Sequence, residues 1–468
     1  MTSTNKITDF VSFNPKRTIK KGEAKPFVEM AALPVDSRDI SEVSTRTYTG
    51  GGSRFQDGDT LFARITPCLE NGKTAKASGL GDGVIAHGST EFIVMSAKEP
   101  EYDEDFVYYL ARMPEFRSYA QSRMEGTSGR QRVSWQSLAE FDFEFPEKEE
   151  RKKIGSILKS LDDKIKINNR LNQTLEQIAQ AIFKSWFVDF DPVKDKMAVL
   201  NTLSPWERDG VRGQQLAELA AMSAISTKDE AALKQLQVEQ PDRYAELAQT
   251  AALFPSAMQE SELGEIPGGW AADSFSKVAS LDTTSAKPND DPDKEWNHFS
   301  IPAFDVDQSP VKEIGSTIKS GKYKVKKSAV LSSKLNPHFP RTWWPDIDDE
   351  DNSICSTEFM QFIPNKDEHR TFMYCLITSA PFQEGISQRV TGTTGSRQRA
   401  QPTQVAAMNV VIPNNDLMDR FSQRVLPILE AKSKNIKQNN SLSALRDSLL
   451  PKLLAGEISL STATEQAQ

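Results

Sequence analysis

A short motif occurs twice in this sequence. Residues 89–92 read Ser-Thr-Glu-Phe, and the same four residues return at 356–359, which is 267 positions later. Further along, the triplet Arg-Gln-Arg at 130–132 returns at 397–399 with the same spacing. A repeat with so long a period indicates two copies of one structural unit. The sequence therefore predicts a tandem duplication, and any fold assigned to the chain must contain the same module twice.

The two copies also align upstream of the motif, with a drift of a few residues. The stretch "FARITPCLENGK" (62–73) matches "SSKLNPHFPRTW" (332–343), which places Arg64 opposite Lys334. Loop insertions produce drift of this size, since loops tolerate changes of length.

Alternating apolar residues indicate strands within each copy. The run "HGSTEFIVM" (87–95) has the pattern of one buried strand. The runs "FDFEF" (141–145) and "MNVVI" (408–412) have the pattern of a terminal strand in the first and second copy.

Each copy is followed by a long segment with apolar residues at alternating steps of three and four, at 147–187 and 414–458. This spacing predicts the seam of a coiled coil. An Asn-Asn pair lies at a matching place in both segments, and a polar residue in such a seam fixes register. Pro427 and Pro451 predict a bend or break in the second helix. The candidate seam residues are Leu161, Ile165, Asn168, Leu175, Ile182, Ile436, Asn439, Leu442 and Leu449.

Two helices with apolar stripes must bury them, and the economical solution packs them against each other. We predict an α+β fold in which two tandem-repeated α/β domains are separated by two long antiparallel coiled-coil helices. A helix of 35–40 residues would be roughly 50–60 Å long. That length corresponds to about one and a half turns of DNA.

Composition limits the class of protein. The formal net charge is −8, yet basic residues cluster at 14–25 and 319–334, and local clusters rather than the total govern affinity for phosphate. Three cysteines are too few for a disulfide framework. Neither a signal peptide nor an apolar run of membrane-spanning length is visible. These features predict a protein of the reducing cytoplasm that does not enter a membrane.

At this point the sequence resembles a known family, the specificity subunits of type I restriction–modification enzymes. The phrases that carry the resemblance are "GDTLFARITPCLENGKTA" (58–75), "GSTEFIVM" (88–95), "SWFVDFDPVKDKM" (185–197), "AALFPSAMQESELGEIPGGW" (251–270) and "LLPKLLAGEI" (449–458). The resemblance implies that each globular unit is a target recognition domain that reads one half of a split DNA site. It also implies that the helices form a spacer. Residues 198–250 depart from the family as a helix-prone insertion.

The duplication and the resemblance together predict six segments along the chain. They are a first target recognition domain (1–146), a central long helix (147–190), a linker with a helical insertion (191–265), a second target recognition domain (266–413), a C-terminal long helix (414–458) and a disordered tail (459–468).

By resemblance, the partners are double-stranded DNA, two modification (methyltransferase) subunits and the restriction (translocase/nuclease) subunits. The cofactors S-adenosylmethionine, ATP and Mg²⁺ would belong to those subunits, and this chain would need none. The resemblance implies adenine methylation and DNA cleavage directed to a bipartite asymmetric site. It also implies a prokaryotic, nucleoid-associated location in the cytoplasm.

The sequence leaves two other functions open. "NPHF" (336–339) is similar to the signature of amino-methyltransferases, but its counterpart "TPCL" (66–69) lacks both the Asn and the aromatic residue. A free-standing adenine methyltransferase is therefore the weaker alternative, as is a coiled-coil adaptor that binds no DNA. Neither a metal-ligand spacing nor a nucleophile motif is present, so we expect no catalytic or metal-binding residue.

The loops that precede the last strand of each copy are the main candidates for DNA contact. Arg and Gln can bind guanine or adenine edges in two-point contacts, while short hydroxyls suit phosphates. The alternative is that these turns only anchor the junction of domain and helix. The candidates are Arg54, Arg64, Lys73, Thr127, Ser128, Arg130, Gln131 and Arg132 in the first copy, and Lys334, Arg341, Thr394, Ser396, Arg397, Gln398 and Arg399 in the second.

Overall fold

The computed structural model describes residues 6–127, 129–391 and 398–458. The chain divides into two compact units, one formed by 1–168 with 438–468 and the other by 169–437. The predicted domain limits at 146 and 413 lie where each long helix begins. The compact units instead divide each helix near its middle.

The first module, residues 1–146, contains two four-stranded sheets. Their orders are β1-β8-β5-β6 and β3-β2-β7-β4, and β2 and β7 are the parallel pair. The strands are β1 (Val11–Phe13), β2 (Ala24–Val28), β3 (Ser44–Thr47), β4 (Ser53–Phe55), β5 (Thr60–Ala63), β6 (Thr74–Lys76), β7 (Ala86–Gly88) and β8 (Phe92–Ala97). The helices are α1 (Ile7–Phe10), α2 (Pro100–Arg112), α3 (Pro114–Ser122) and α4 (Trp135–Ala139).

A long helix, α5 (Lys148–Phe187), follows the first module, and a group of shorter helices follows α5. The shorter helices are α6 (Asp191–Asn201), α7 (Pro205–Arg208), α8 (Val211–Ser226), α9 (Glu230–Glu239) and α10 (Pro241–Ala252). They lie in the segment 191–265, which the sequence predicted to be a linker with helix-prone residues over 198–250, and they belong to the second compact unit.

The second module, residues 266–413, is preceded by a hairpin and followed by the second long helix. The strands are β9 (Met258–Ser261), β10 (Gly264–Pro267), β11 (Ala271–Ser274), β12 (Ala279–Asp282), β13 (Ser285–Ala286), β14 (Glu295–Phe299), β15 (Val311–Ile314), β16 (Lys322–Lys324), β17 (Val330–Ser333), β18 (Thr342–Trp343), β19 (Ser353–Ser356), β20 (Phe359–Pro364), β21 (Val390–Thr391), β22 (Arg399–Ala400) and β23 (Asn409–Ile412). The helices are α11 (Ile301–Val306), α12 (Arg370–Thr378), α13 (Ala380–Gln388), α14 (Pro402–Ala406) and α15 (Asn415–Leu454).

The two modules share one topology. The sheet order β12-β20-β17-β18 repeats β1-β8-β5-β6, and β13-β16-β19-β14-β15 repeats the other sheet with one added strand. The parallel pair β2–β7 recurs as β14–β19. The predicted duplication and the α+β class are therefore confirmed.

The repeated motif is not part of one continuous strand, as its alternation had suggested. Strand β7 ends at Gly88 and β8 begins at Phe92, and these two strands belong to different sheets. Residues 89–91 are the link between the sheets. In the second module β19 and β20 are joined in the same way. The prediction of a single strand over 87–95 was wrong because the link consists of only three residues, Ser89, Thr90 and Glu91, and so short a polar interruption does not break an alternating pattern.

The two runs predicted as terminal strands behave differently. Strand β23 forms because β11 pairs with it. The described part of the first module offers residues 141–145 no such partner, and this segment is not a strand. Its rings Phe141, Phe143 and Phe145 pack against one another instead. A strand needs a partner for its backbone groups, and alternation of side chains cannot supply one.

The long helices pair in antiparallel fashion within each unit. In the first unit Asp162 contacts Arg446 and Asn168 contacts Asn439. In the second unit Asn172 contacts Asn435 and Glu176 contacts Lys432. Within each unit the contacts advance along α5 while they retreat along α15, by six and seven residues in the first unit and by four and three in the second, as an antiparallel pair requires. The four asparagines, Asn168, Asn172, Asn435 and Asn439, are called the asparagine layer below.

The prolines do not interrupt the second helix, because α15 runs through both Pro427 and Pro451. A proline inside a helix costs about 3 kcal/mol. Buried neighbours such as Val425, Leu429 and Leu450 offset this cost by packing. The expected break was therefore wrong.

Each unit has one main core to which both long helices contribute. In the first unit, Ile154 and Leu158 of α5 and Leu449 and Leu453 of α15 pack with the helices and sheet of the module. In the second unit, Phe183 and Trp186 of α5 pack with the first turns of α15 and with the insertion. Within the described ranges, no helix combines the length and the apolarity that crossing a bilayer requires.

Candidate nucleic-acid interface

The repeated Glu of the first module forms a two-point ion pair with an arginine of the Arg-Gln-Arg triplet. The Arg132 Nε donates to the Glu91 Oε2 at 2.9 Å, and its Nη2 donates to Oε1 at 2.8 Å. The Glu91 backbone N–H donates to the Ser89 hydroxyl at 3.1 Å, which fixes the backbone from which the carboxylate extends. The motif at 89–92 therefore serves to hold one arginine side chain.

The second module repeats this arrangement. The Arg399 Nε donates to the Glu358 Oε2 at 2.9 Å, and its Nη2 donates to Oε1 at 3.0 Å. The Glu358 N–H donates to the Ser356 hydroxyl at 3.2 Å. In both modules the hydrogen bonds to Glu raise the pKa of the arginine above its ordinary value. The arginines stay charged, but each is compensated by its own carboxylate.

In each module the backbone of a basic residue is hydrogen-bonded to the Glu on one side and to the residue that follows the triplet on the other. In the first, the Arg64 N–H donates to the Glu91 carbonyl, and the Val133 N–H donates to the Arg64 carbonyl, both at 3.0 Å. In the second, Lys334 makes the same two bonds, with Glu358 and Ala400, both at 2.9 Å. The backbone bonds thus make Lys334 the structural counterpart of Arg64, as the sequence alignment placed it.

Two predicted arginines of the first module line one small cavity. Arg54 and Arg64 border a cavity of about 230 Å³, together with Asn14, Ser53 and Thr90. The Arg64 Nε is buried and has no hydrogen-bond partner within the described residues. A buried N–H without an acceptor is costly, so this group is a candidate for a contact with a ligand.

The structure commits other predicted residues to contacts within the chain. The Lys73 Nζ donates to the Met30 carbonyl at 2.9 Å. Arg341 makes a two-point pair with Asp305, at 2.6 and 2.9 Å. Arg54 donates to the Arg17 carbonyl. Contact with DNA would compete with the carboxylate at Arg341, whereas Lys73 and Arg54 each keep further N–H donors beside these single bonds.

The turns of the two modules hold the remaining candidates. Thr127 and Arg130 are exposed, and the Arg130 side chain has no partner within the described residues. Gln131 is half-buried, and its N–H donates to the Thr66 hydroxyl at 3.1 Å. The Gln398 Oε1 lies 3.1 Å from the His338 Nε2. Ser128, Thr394, Ser396 and Arg397 lie outside the described residues.

The candidate seam residues divide by burial. Leu161, Ile165, Asn168, Asn439 and Leu449 are buried, whereas Leu175, Ile182, Ile436 and Leu442 are half-buried. The Asn168 Nδ2 donates to the Asn439 Oδ1 at 2.9 Å. A polar bond of this kind between paired helices favours one register.

Other apolar residues of α5 lie outside the seam. Leu171 and Ile178 continue the apolar spacing, but they are 46% and 43% exposed, and Ile167 is 58% exposed. A strict heptad drifts by about 20° per repeat on a straight α-helix, so equal spacing does not keep residues on one face. These three residues form an exposed apolar stripe on α5.

The "NPHF" segment (336–339) is integrated into the second module. The Asn336 N–H donates to the Gln398 carbonyl at 2.9 Å, and Phe339 is 68% exposed. Within the described residues, no group of three or more His, Cys, Asp or Glu side chains could hold a metal ion.

Comparison with known proteins identifies the family. Residues 5–177 match the model for the type I restriction modification DNA specificity domain. The chain is 31% identical to the type I restriction enzyme HindI specificity subunit of Haemophilus influenzae over 424 residues, covering 86% of this chain and 87% of that protein. It is 24% identical to the MjaIX specificity subunit of Methanocaldococcus jannaschii, covering 76% of this chain and 69% of that protein.

Among solved structures, a type I restriction–modification S subunit from M. genitalium aligns with a TM-score of 0.48 at 13% identity. The alignment covers 96% of this chain and 95% of that one. The identity to the HindI subunit, spread over most of both chains, establishes the relationship: this chain belongs to the family of type I restriction enzyme specificity subunits.

Proposed function

We propose that this chain recognises a bipartite asymmetric DNA site, with one half of the site bound by each module. The observation that carries the proposal is the constellation that both modules share: a paired Glu and Arg with a basic residue, Arg64 or Lys334, between them. Family membership supports DNA recognition, rather than catalysis, as its task.

The proposal assigns different roles to the basic residues. Arg64, Lys334 and Arg130 are the candidates for phosphate or base contact, because no carboxylate compensates them within the described residues. Base edges specify a sequence, whereas phosphate contacts position the protein. Arg64 faces a cavity that is small and polar, which favours a phosphate oxygen.

We further propose that two modification subunits bind the paired helices and that restriction subunits join this assembly. The exposed stripe of Ile167, Leu171 and Ile178 supports such a contact, since three large apolar side chains on one helix gain by burial. S-adenosylmethionine, ATP and Mg²⁺ would act in those partners, which would methylate adenine or cut the DNA. The complex would be associated with the nucleoid of a prokaryotic cell.

The proposal is tested with the chain co-expressed with its modification subunits. Specific DNA binding is measured against salt concentration for Arg64→Ala and for Lys334→Ala. Loss of one phosphate contact should reduce the slope of log K against log salt by about 0.9. Arg64→Ala should weaken the complex on one half of the site, and Lys334→Ala on the other.

The matched control is Lys234→Ala in the helical insertion, where the lysine pairs with Glu230 on an exposed surface. This variant should leave DNA binding unchanged. A wild-type complex that binds DNA without sequence preference would refute the proposal and favour the adaptor alternative.

A further inference from the structure

The Glu–Arg pair has the same construction in two modules whose other loops differ in length. Both pairs join residues 41 positions apart, Glu91 to Arg132 and Glu358 to Arg399. Both arginines remain close to half exposed, at 43% and 45%. The pair is therefore a surface contact that lies beside the turn, in contrast to the buried ion pair of Asp162 and Arg446 between the long helices.

The pair also holds the turn before it. The Arg132 Nη1 donates to the Arg130 carbonyl at 3.3 Å, so the same guanidinium grips Glu91 and the backbone two residues earlier. The Thr66 N–H donates to the Gln131 carbonyl at 3.1 Å. In the second module the Asn336 N–H makes the same bond to the Gln398 carbonyl, at 2.9 Å. The backbone of Gln131 and of Gln398 is thus held by a matching carbonyl hydrogen bond in each module, and in the first module Arg132 also holds the backbone of Arg130.

The two arginines of the first triplet differ in how many of their side-chain N–H groups are already bonded within the chain. Arg132 uses its Nε, Nη1 and Nη2 on Glu91 and on the Arg130 carbonyl. Arg130 uses none of its side-chain donors within the described residues. A phosphate or a base would meet no competing side-chain contact at Arg130, whereas at Arg132 it would meet a guanidinium whose charge Glu91 already compensates and which keeps only two of its five N–H donors.

We propose that Glu91 and Glu358 are specificity-determining positioning residues. Each holds the arginine of its own module so that the preceding residues, Arg130-Gln131 in the first module and Gln398 in the second, meet the DNA in a fixed place. This inference rests on the proposed function and goes further, because it assigns the sequence preference of each half-site to a carboxylate that does not itself contact DNA.

The test compares two matched variants, Glu91→Gln and Glu358→Gln, in the complex with modification subunits. Glutamine keeps the size of the side chain but cannot accept the charged two-point contact. The readout is the set of adenine-methylated sites in the host genome, sequenced for each variant. Discrimination against single-base changes should fall roughly tenfold in one half of the site and stay unchanged in the other half. The two variants should affect opposite halves.

A second variant separates positioning from direct contact by Arg132. Arg132→Gln removes the other end of the pair, and it is also combined with Glu91→Gln in a double variant. A positioning role predicts that the double variant loses no more half-site preference than Arg132→Gln alone, and that the slope of log K against log salt is the same in Arg132→Gln as in Glu91→Gln. A slope lower by about 0.9 in Arg132→Gln than in Glu91→Gln, with the wild-type melting temperature retained, would overturn the inference by showing that Arg132 itself binds DNA.

A purely structural role would give a different pattern. Melting temperature would fall and methylation would decline at all sites equally, with both half-site preferences intact, and this result would also overturn the inference. The proposed function would survive either outcome, since it fails only when the wild-type complex shows no sequence preference. Ser89→Ala, which removes the acceptor for the Glu91 N–H, is a milder perturbation should Glu91→Gln lower the yield of folded protein.

Discussion

Arg446 offers the sharpest test of how the long helices are held together in the first unit. Its Nη1 donates to the Asp162 Oδ1 at 2.6 Å, and the other oxygen of Asp162 accepts from the Tyr109 hydroxyl, also at 2.6 Å. Both members of the ion pair are only 5% exposed. Burial, reinforced by the Asp162 charge, raises the pKa of Tyr109 well above its usual value, so the phenol remains a donor. The triad joins α5, α15 and the first module.

Replacing Arg446 with Met leaves Asp162 charged and without its cation. Breaking a buried ion pair in this way costs about 3–5 kcal/mol. Each 1.4 kcal/mol changes an equilibrium constant about tenfold. Opening of the first unit should therefore become about 10²- to 10⁴-fold more frequent.

Amide hydrogen exchange, read by mass spectrometry over residues 150–166, measures this opening directly. The matched control is Lys432→Met in the second unit, where Lys432 pairs with Glu176 at 2.8 Å but the two side chains are 18% and 27% exposed. Water screens that pair, so its loss should cost about 1 kcal/mol or less. Exchange in the second unit should then rise at most about tenfold.

A double variant, Asp162→Asn with Arg446→Met, isolates the unpaired charge. Asparagine still accepts from Tyr109 but carries no charge, so most of the lost protection should return. The reasoning is refuted if Arg446→Met accelerates exchange in the first unit by less than about tenfold. It is equally refuted if the double variant opens as readily as the single one.

Three further predictions concern other parts of the chain. Gly52→Ala should lower the free energy of unfolding by at least about 1 kcal/mol more than Gly50→Ala. Both glycines have positive φ, but only a Cβ at position 52 would lie 2.2 Å from a backbone oxygen. An equal decrease in the free energy of unfolding for the two variants, measured in urea, would contradict this. Burial raises the pKa of Asp39, but hydrogen bonds and charge from Arg38 and Lys166 outweigh it and lower the pKa overall. Asp39→Asn should therefore lower the free energy of unfolding above about pH 4. In unfolding experiments, the difference from wild type should vanish as the pH falls through the pKa of Asp39 in the folded protein. One heptad added to each long helix beside the asparagine layer should change the gap between methylated half-sites by about three base pairs, since seven residues rise about 10.5 Å. A heptad added to α5 alone should unpair the layer. An unchanged gap in the variant with both heptads would contradict the spacer role.

The sequence was enough to predict the repeated module and the paired helices. Both predictions rest on spacing in the sequence, because a period of 267 residues indicates two copies and steps of three and four indicate a helix. Neither needs knowledge of which residues meet. The predictions that failed depended on knowing which residues contact each other. Residues 141–145 alternate like a strand but find no partner within the described residues, and Leu171 keeps the three-and-four spacing of segment 147–187 but is 46% exposed.

The same limit explains why the roles within the Arg-Gln-Arg triplet could not be assigned from residue type. Arg130 and Arg132 are chemically identical and two positions apart, and only a carboxylate 41 residues away distinguishes them. One pattern in the sequence does point to that contact. The interval from Glu to its arginine is the same in both copies, whereas the interval from the basic residue, Arg64 or Lys334, to that Glu changes from 27 to 24 residues. A two-point ion pair between the side chains of two segments favours a constant separation between them, and the equal interval in the two copies agrees with such a constraint.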